Sequence, residues 1–131
     1  MGTTYLLDTN TVIYFLDAAL SEKSLNFIEE NLDETGSFIS ITSKIELPGW
    51  QAPTPEAIRQ VERFVNDSTI IPLTNDIADK AIDLEQGKKI KLPDAVIAAT
   101  ALVHDLTLIS RNDDDFRKIP GLKYLNPFTD I

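Results

Sequence analysis

The sequence predicts an α/β fold, a three-layer α/β/α sandwich whose central, mostly parallel sheet has about five strands. Short apolar segments of strand length alternate along the chain with longer segments of helical periodicity. The chain has 131 residues, a length typical of one domain, and no linker, repeat or low-complexity segment divides it. We therefore expect a single domain spanning residues 1–131.

The predicted strands are short, rich in Leu, Ile and Thr, and separated by helical segments, a pattern typical of parallel βαβ units. They are Tyr5–Asp8, Ser37–Ile41, Thr69–Leu73, Thr107–Ser110 and Lys123–Leu125.

The predicted helices begin at recognisable capping residues. Thr54 precedes Pro55 at a helix start, Thr74 caps the next helix, and Pro48 should kink or end a third. The segment 93–105 is apolar nearly all round and should be the central helix. The helical segments are Thr11–Asp17, Ser21–Asp33, Thr42–Trp50, a segment that begins at Pro55 and has its last apolar position at Val65, residues 75 to about 87, and Pro93–Asp105.

Composition excludes several classes of function. With 12 Lys and Arg against 21 Asp and Glu, the net charge of −9 argues against nonspecific coating of nucleic acid or an anionic membrane. The absence of Cys excludes disulfides and cysteine-ligated metals, and a single His, His104, excludes mechanisms that need two. No segment is typical of a signal peptide or membrane helix, so we expect a cytoplasmic protein.

Acidic residues follow the predicted strands. Asp8 ends the first strand, Glu46 lies just past the second, Asp94 is in the first turn of the central helix, and Asp113–Asp115 follow the fourth strand. In a parallel sheet these carboxylates would meet at one edge, where ligands bind. Converging anions need a cation between them, and oxygen ligands favour Mg²⁺ or Mn²⁺.

Each acid also has a structural alternative. Asp8 could cap a helix, Ser43 and Glu46 fit a capping box, and a helix dipole favours Asp94 whatever its function. The run Asp113–Asp115 could be a solvated turn.

Basic and apolar residues near these segments have similarly open interpretations. Four cations are candidate RNA phosphate contacts or parts of a solvated face: Lys88, Lys89, Lys91 and Arg111. His104 is expected to be structural or exposed. Phe15, Ile45 and Trp50 are expected by default in the core, with a surface groove as the alternative.

Several segments carry a resemblance to a known family. They are Tyr5-Leu6-Leu7-Asp8-Thr9-Asn10, Ser43-Lys44-Ile45-Glu46-Leu47, Leu92-Pro93-Asp94-Ala95-Val96-Ile97-Ala98-Ala99, Leu108-Ile109-Ser110-Arg111-Asn112 running into Asp115-Phe116, and Ile119-Pro120-Gly121-Leu122. With these motifs the chain resembles the PIN-domain family, and within it the VapC toxin ribonucleases of VapBC toxin–antitoxin pairs.

The resemblance implies a PIN-like fold and Mg²⁺-dependent hydrolysis of RNA, with Mn²⁺ as the other candidate ion. Asp8, Glu46 and Asp94 match the family's metal-binding acids, and Asp115 or Asp113 is the fourth. The resemblance also implies three supporting residues: Ser110, where the family often has Thr, Asn112, where many members carry Asp, and Asn10. The implied partners are a VapB-like antitoxin that masks the acids and a second copy of the chain.

Two other classes of function compete with a toxin ribonuclease. The acids could be helix caps in a noncatalytic interaction module, or the same cluster could serve a metal-dependent DNA nuclease or phosphatase. Cation stabilisation and a panel of substrates would separate the three hypotheses.

Overall fold

Five strands form one fully parallel sheet in the computed structural model, which describes residues 3–131; Met1 and Gly2 of the predicted domain lie outside this range. The strand order is β3-β2-β1-β4-β5. The strands are β1 (Tyr5–Leu7), β2 (Phe38–Ser40), β3 (Thr69–Ile71), β4 (Thr107–Ile109) and β5 (Tyr124–Leu125). The prediction of a sheet of about five strands is confirmed.

Helices connect the strands and lie close to their predicted positions. They are α1 (Thr9–Leu16), α2 (Glu22–Thr35), α3 (Ile41–Glu46), α4 (Pro55–Asp67), α5 (Asn75–Lys88), α6 (Leu92–Val103) and α7 (Asp113–Phe116). The four-residue helix α7 was not predicted. No helix within residues 3–131 is long and apolar enough to cross a membrane.

The three layers follow from the alternation of side chains along the strands. Leu6 and Leu108 pack with α5 and α6 on one face of the sheet. Leu7 and Ile109, the next residues along, pack with α1, α2 and α4 on the other face. The sheet is therefore buried on both sides, which confirms the α/β/α sandwich.

Local capping chemistry sets the helix starts. Thr54 and Thr74 accept hydrogen bonds from backbone N–H groups three residues on, as predicted. A 3₁₀ turn (Leu47–Gly49) follows α3 directly and contains Pro48, so the predicted break is confirmed.

Two predictions about α3 are wrong. The capping residue is Ser40, whose Oγ accepts from the backbone N–H of Ser43, so Ser43 and Glu46 do not form a capping box. Ile45 does not lie in the core: its side chain is 72% exposed, because α3 presents Ser43 rather than Ile45 to the interior. Phe15 and Trp50 are half-buried, and His104 is exposed.

The path of the chain creates a cleft at one edge of the sheet. From β1 the chain runs outward to β2 and β3, and then returns to place β4 on the other side of β1. The chain leaving β1 and the chain leaving β4 therefore diverge at neighbouring carboxyl ends. This is the switch point where ligands bind in open parallel sheets.

Candidate acidic metal site

Asp8 lies at this switch point, directly after β1, and its side chain is buried. Its Oδ1 accepts a hydrogen bond from the backbone N–H of Thr9 at 2.7 Å, and its Oδ2 accepts one from Ser110 Oγ at 2.8 Å. Burial raises the pKa of Asp8, the two hydrogen bonds lower it, and the charge of Glu46 raises it further. Asp8 therefore caps α1, as one interpretation predicted, and also faces a second carboxylate.

Glu46 is the last residue of α3, and its exposed side chain is held by Thr9. The Thr9 hydroxyl donates to Glu46 Oε1 at 2.8 Å and lies 2.8 Å from Ser43 Oγ. Since a hydroxyl carries one proton, Ser43 donates to Thr9 when Thr9 donates to Glu46. Thr9 thus connects two acids: its backbone binds Asp8 and its side chain binds Glu46.

Asn112 connects the other two acids of the cluster. Its Nδ2 donates to Asp94 Oδ2 and to Asp115 Oδ2, both at 3.1 Å. Asp94 is in the first turn of α6, whereas Asn112 caps α7, which carries Asp115. One neutral amide therefore bridges two carboxylates from different helices.

Asp94 has the clearest electrostatic signature of the site. Its pKa is raised to about 7, first by burial, then by the neighbouring Asp115 and by the charges of Asp8 and Glu46. The four acids therefore act on one another across the cleft.

The donor set fits a divalent cation of the Mg²⁺ type. Carboxylate oxygens are hard ligands, and a bound cation would lower the pKa values of Asp8 and Asp94, which are raised first by burial and then by neighbouring acids. Within residues 3–131 no three acids converge closely enough to form a ready-made ion cage. The Asn112 amide donates between Asp94 and Asp115 instead, as a neutral substitute for positive charge.

Asp113 lies outside this cluster. Its Oδ1 accepts from Tyr124 Oη at 2.6 Å and from Asn126 Nδ2 at 3.1 Å, and it pairs with Arg117 Nε at 3.3 Å. These partners lower the pKa of Asp113. The same contacts attach α7 to the C-terminal segment. Of the two candidates for the fourth acid, the structure brings only Asp115 to Asp94.

The remaining candidate residues surround the site or point away from it. Asn10 is exposed on α1, one residue beyond Thr9. Lys88 ends α5, Lys89 follows in a left-handed conformation, and Lys91 caps α6 three residues before Asp94; all three are exposed. The Arg111 guanidinium lies over the Phe128 ring at 4.3 Å from its centroid.

Sequence reasoning missed the role of Thr9. The signal was present, because a hydroxyl residue directly follows the strand-end acid Asp8. Its partner Glu46 lies 37 positions away, so only the tertiary structure reveals the contact.

An acidic oxygen-donor site at the switch point of a parallel sheet defines this chain as an α/β protein with a candidate divalent-metal site. The family model of the PIN domain matches residues 5–122, and the chain belongs to the PIN domain family. The resemblance stated from the sequence motifs is thereby confirmed.

Several solved structures are similar over almost the whole chain. A toxin–antitoxin complex from Klebsiella pneumoniae contains a chain 31% identical to this one, with a TM-score of 0.73 and coverage of 95% of this chain and 98% of that one. VapBC2 from Rickettsia felis, bound to a promoter DNA fragment, is 23% identical, with a TM-score of 0.76 and coverage of 95% and 98%. DNA-bound VapBC from Salmonella typhimurium is also 23% identical, with a TM-score of 0.76 and coverage of 96% and 99%. Among curated proteins none matches the chain significantly.

The raised pKa of Asp94 predicts a pH-dependent stability of the metal-free protein. Its pKa is about 7 in the folded chain against an ordinary 3.8, so ionising Asp94 opposes folding; the cost is absent below about pH 4 and complete above about pH 7. In EDTA, Asp94→Asn should raise the Tm by roughly 2–5 °C at about pH 8 and by nothing near pH 4. Asp114→Asn, an exposed neighbour, is the matched control. An equal gain at both pH values would contradict the assignment.

Thr9 should control metal affinity through Glu46. Thr9→Val keeps the shape of the side chain but removes the hydroxyl, and loss of such an outer hydrogen bond lowers metal affinity by about 10-fold or more. Thr9→Ser should bind Mn²⁺ like the wild type, as measured by titration with the free-ion EPR signal. Unchanged affinity in Thr9→Val would show that Glu46 needs no support.

Substitution of Asp113 and substitution of Asp115 should have different effects on stability and on Mn²⁺ affinity. Asp113→Ala leaves Tyr124 Oη and Asn126 Nδ2 without their shared acceptor, so it should lower the Tm by a few degrees and leave Mn²⁺ affinity unchanged. Asp115→Ala should weaken Mn²⁺ binding. The reverse pattern, read from melting curves and ion titrations, would make Asp113 the fourth acid.

Proposed function

We propose that this chain is the toxin of a type II toxin–antitoxin pair and that it acts as a Mg²⁺-dependent endoribonuclease in the cytoplasm. The observation that carries the proposal is that Asp8, Glu46 and Asp115 all act on Asp94 at the carboxyl edge of a PIN domain, where the Asn112 amide bridges Asp94 and Asp115. PIN domain toxins of the VapBC type are generally nucleases, and the similar structures include toxin–antitoxin complexes.

Asp8, Asp94, Glu46 and Asp115 would hold the ion, and Asn112 would support them, since its Nδ2 donates to Asp94 and Asp115 while its Oδ1 caps α7. An ion held there would supply Lewis-acid activation of the phosphodiester and of the attacking water. The cluster must be ionised to bind a cation, and the pKa values of Asp8 and Asp94 are both raised, that of Asp94 to about 7. Cation binding should therefore strengthen as the pH rises through about 7.

The hydrogen bonds of the neutral residues prepare the acids for this task. Ser110 orients Asp8 from β4, and its Oγ also accepts from the backbone N–H of Asn112. The chain leaving β4 thus connects Asp8 to the Asn112 amide, which holds Asp94. Together these bonds restrict rotation of carboxylates that would otherwise repel one another.

A protein of net charge −9 needs local positive charge in order to bind the phosphates of RNA. Lys88, Lys89 and Lys91 lie in and beside the short connection from α5 to α6, near the helix start that carries Asp94. Such cations would contact the phosphate backbone without selecting sequence.

An apolar groove supports an antitoxin partner. The groove, of about 290 Å³, lies between the 3₁₀ turn and α4, and its walls include Leu47, Trp50, Ile58 and Val61. It begins directly after Glu46, so a peptide seated there would extend toward the acids. We place the apolar residues of an antitoxin segment in this groove, by the helix-in-groove or extended-peptide modes of recognition.

A second apolar surface supports the proposed homodimer. Leu73, Ile82 and Leu92 are at least half exposed and line one shallow groove over α5 and α6. A contiguous apolar patch of this kind is typical of an interface between protein chains.

Cleavage of RNA by single-site variants tests the proposed function. The wild type should cleave single-stranded RNA in Mg²⁺ but not in EDTA. Asp94→Asn should lose about 100-fold or more, because even outer partners of metal ligands are worth 10–100-fold. Asp114→Asn, which removes the same charge from an exposed position, should retain full activity.

Three outcomes would contradict the proposal. Full activity of Asp94→Asn would reject the acid assignment. Cleavage of DNA or phosphomonoesters in preference to RNA would favour the nuclease or phosphatase alternative. Absence of any cleavage together with absence of cation stabilisation would favour a noncatalytic interaction module.

A further inference from the structure

Arg111 occupies an unusual position beside the acidic site. The residue before it, Ser110, donates to Asp8, and the residue after it, Asn112, donates to Asp94. Arg111 itself is exposed and extends to two aromatic rings. Its guanidinium carbon lies 4.3 Å from the centroid of Phe128 and 5.9 Å from that of Tyr14.

The two rings form a defined platform. Tyr14 and Phe128 pack edge to face, with centroids 5.2 Å apart and an interplanar angle of 89°. Tyr14 is on α1, six residues after Asp8, or about 9 Å along the helix axis. Phe128 is 38% exposed. An aromatic surface that solvent can reach therefore lies within a short distance of the candidate metal ligands.

Arg111 is held by stacking and not by charge pairing. None of the ion pairs found within residues 3–131 includes it. A cation–π contact uses the face of the guanidinium, whereas phosphate binds to its N–H edge. The geometry thus positions a cation whose anion-binding edge is not used by a carboxylate.

The C-terminal segment does not depend on Arg111 for its anchoring. Ser24 Oγ donates to the carbonyl of Pro127 at 2.6 Å, and the backbone N–H of Phe128 donates to Asn126 Oδ1 at 2.8 Å. Asp130 accepts from Arg117 and from the backbone of Asn126, both at 2.7 Å. The stacked arginine is therefore additional to the contacts that fix the segment.

We propose that Arg111, Phe128 and Tyr14 form a subsite for one nucleotide of single-stranded RNA next to the bond that is cleaved. The guanidinium edge binds a backbone phosphate, and the exposed aromatic surface stacks an unpaired base. This inference rests on the proposed function. It assigns to the platform the selection of unpaired RNA, because a base within a duplex cannot reach an aromatic face.

Fluorescence anisotropy with a labelled oligoadenylate, in Ca²⁺ and at low salt, tests the subsite. Stacking of one base on an aromatic ring changes affinity by about 5- to 100-fold. Phe128→Leu, which keeps the apolar volume but removes the ring, should raise the Kd about 5-fold, and Arg111→Ala about 10-fold. Arg59→Ala is the matched control, since Arg59 is an exposed arginine paired with Glu56 on α4, and its Kd should change less than about 2-fold.

Two further measurements separate the subsite from general damage. Phe128→Leu and Arg111→Ala should bind Mn²⁺ with the affinity of the wild type, because neither substitution changes one of the candidate metal-binding acids. A duplex of the same length should bind equally to the wild type and Phe128→Leu, because its bases are already stacked.

Several results would overturn the proposal. Unchanged oligoadenylate affinity in both variants would assign the platform to packing or to a protein partner. Weaker oligoadenylate binding by Arg111→Ala but not by Phe128→Leu would leave only a phosphate contact and would reject the base platform. If the wild type cleaves no RNA but Phe128→Leu and Arg111→Ala still bind oligoadenylate more weakly, the proposed function is rejected and the subsite is retained. If the wild type cleaves RNA and both variants bind oligoadenylate as tightly as the wild type, only the subsite is rejected.

Discussion

Repulsion among carboxylates at the switch point is the constraint on which the rest of the site depends. Burial is the largest cause of the raised pKa values of Asp8 and Asp94, and neighbouring acids raise them further: Glu46 acts on Asp8, and Asp115, Asp8 and Glu46 act on Asp94. Each acid comes from a different connection, because the parallel sheet brings its strand ends to one edge. The hydrophobic packing of both sheet faces supplies the stability that opposes this repulsion.

The acids are separated and oriented by neutral donors. Thr9, Ser110 and Asn112 each donate to a carboxylate without adding charge. A lysine in the place of any of them would form a permanent ion pair and compete with a cation for the same oxygens. Hydroxyl and amide donors stabilise the metal-free cluster and leave its negative charge available. The asparagine at position 112, where many PIN domains carry Asp, fits this logic, because one more carboxylate would add to the repulsion.

The fold was predictable because its determinants are local. Short apolar segments between helical ones placed all five strands, and Thr54, Thr74 and Pro48 set helix boundaries within a few residues. The acids at strand ends were equally visible, because a parallel sheet fixes where strand ends meet.

Errors arose where two residues of the same chemistry compete over one turn. Ser40 and Ser43 both fit an N-cap, and only the register of β2 places Ser40 there. Asp113 and Asp115 both follow β4, and only the contacts of Tyr124 and Asn126 assign Asp113 to the C-terminal segment.

The position of Arg111 follows from the same electrostatic constraint. An arginine and a carboxylate 4 Å apart near a protein surface attract with about 4 kcal/mol before solvation and entropy are counted. Measured exposed pairs are worth only about 0–1 kcal/mol, and a cation–π contact about 0.5–2 kcal/mol. Stacking on Phe128 and Tyr14 is therefore strong enough to hold the cation away from the acids. The aromatic pair keeps a positive charge at the edge of a negative site without neutralising that site. The proposed function requires this separation, because the acids must stay open to a cation while the arginine stays open to phosphate.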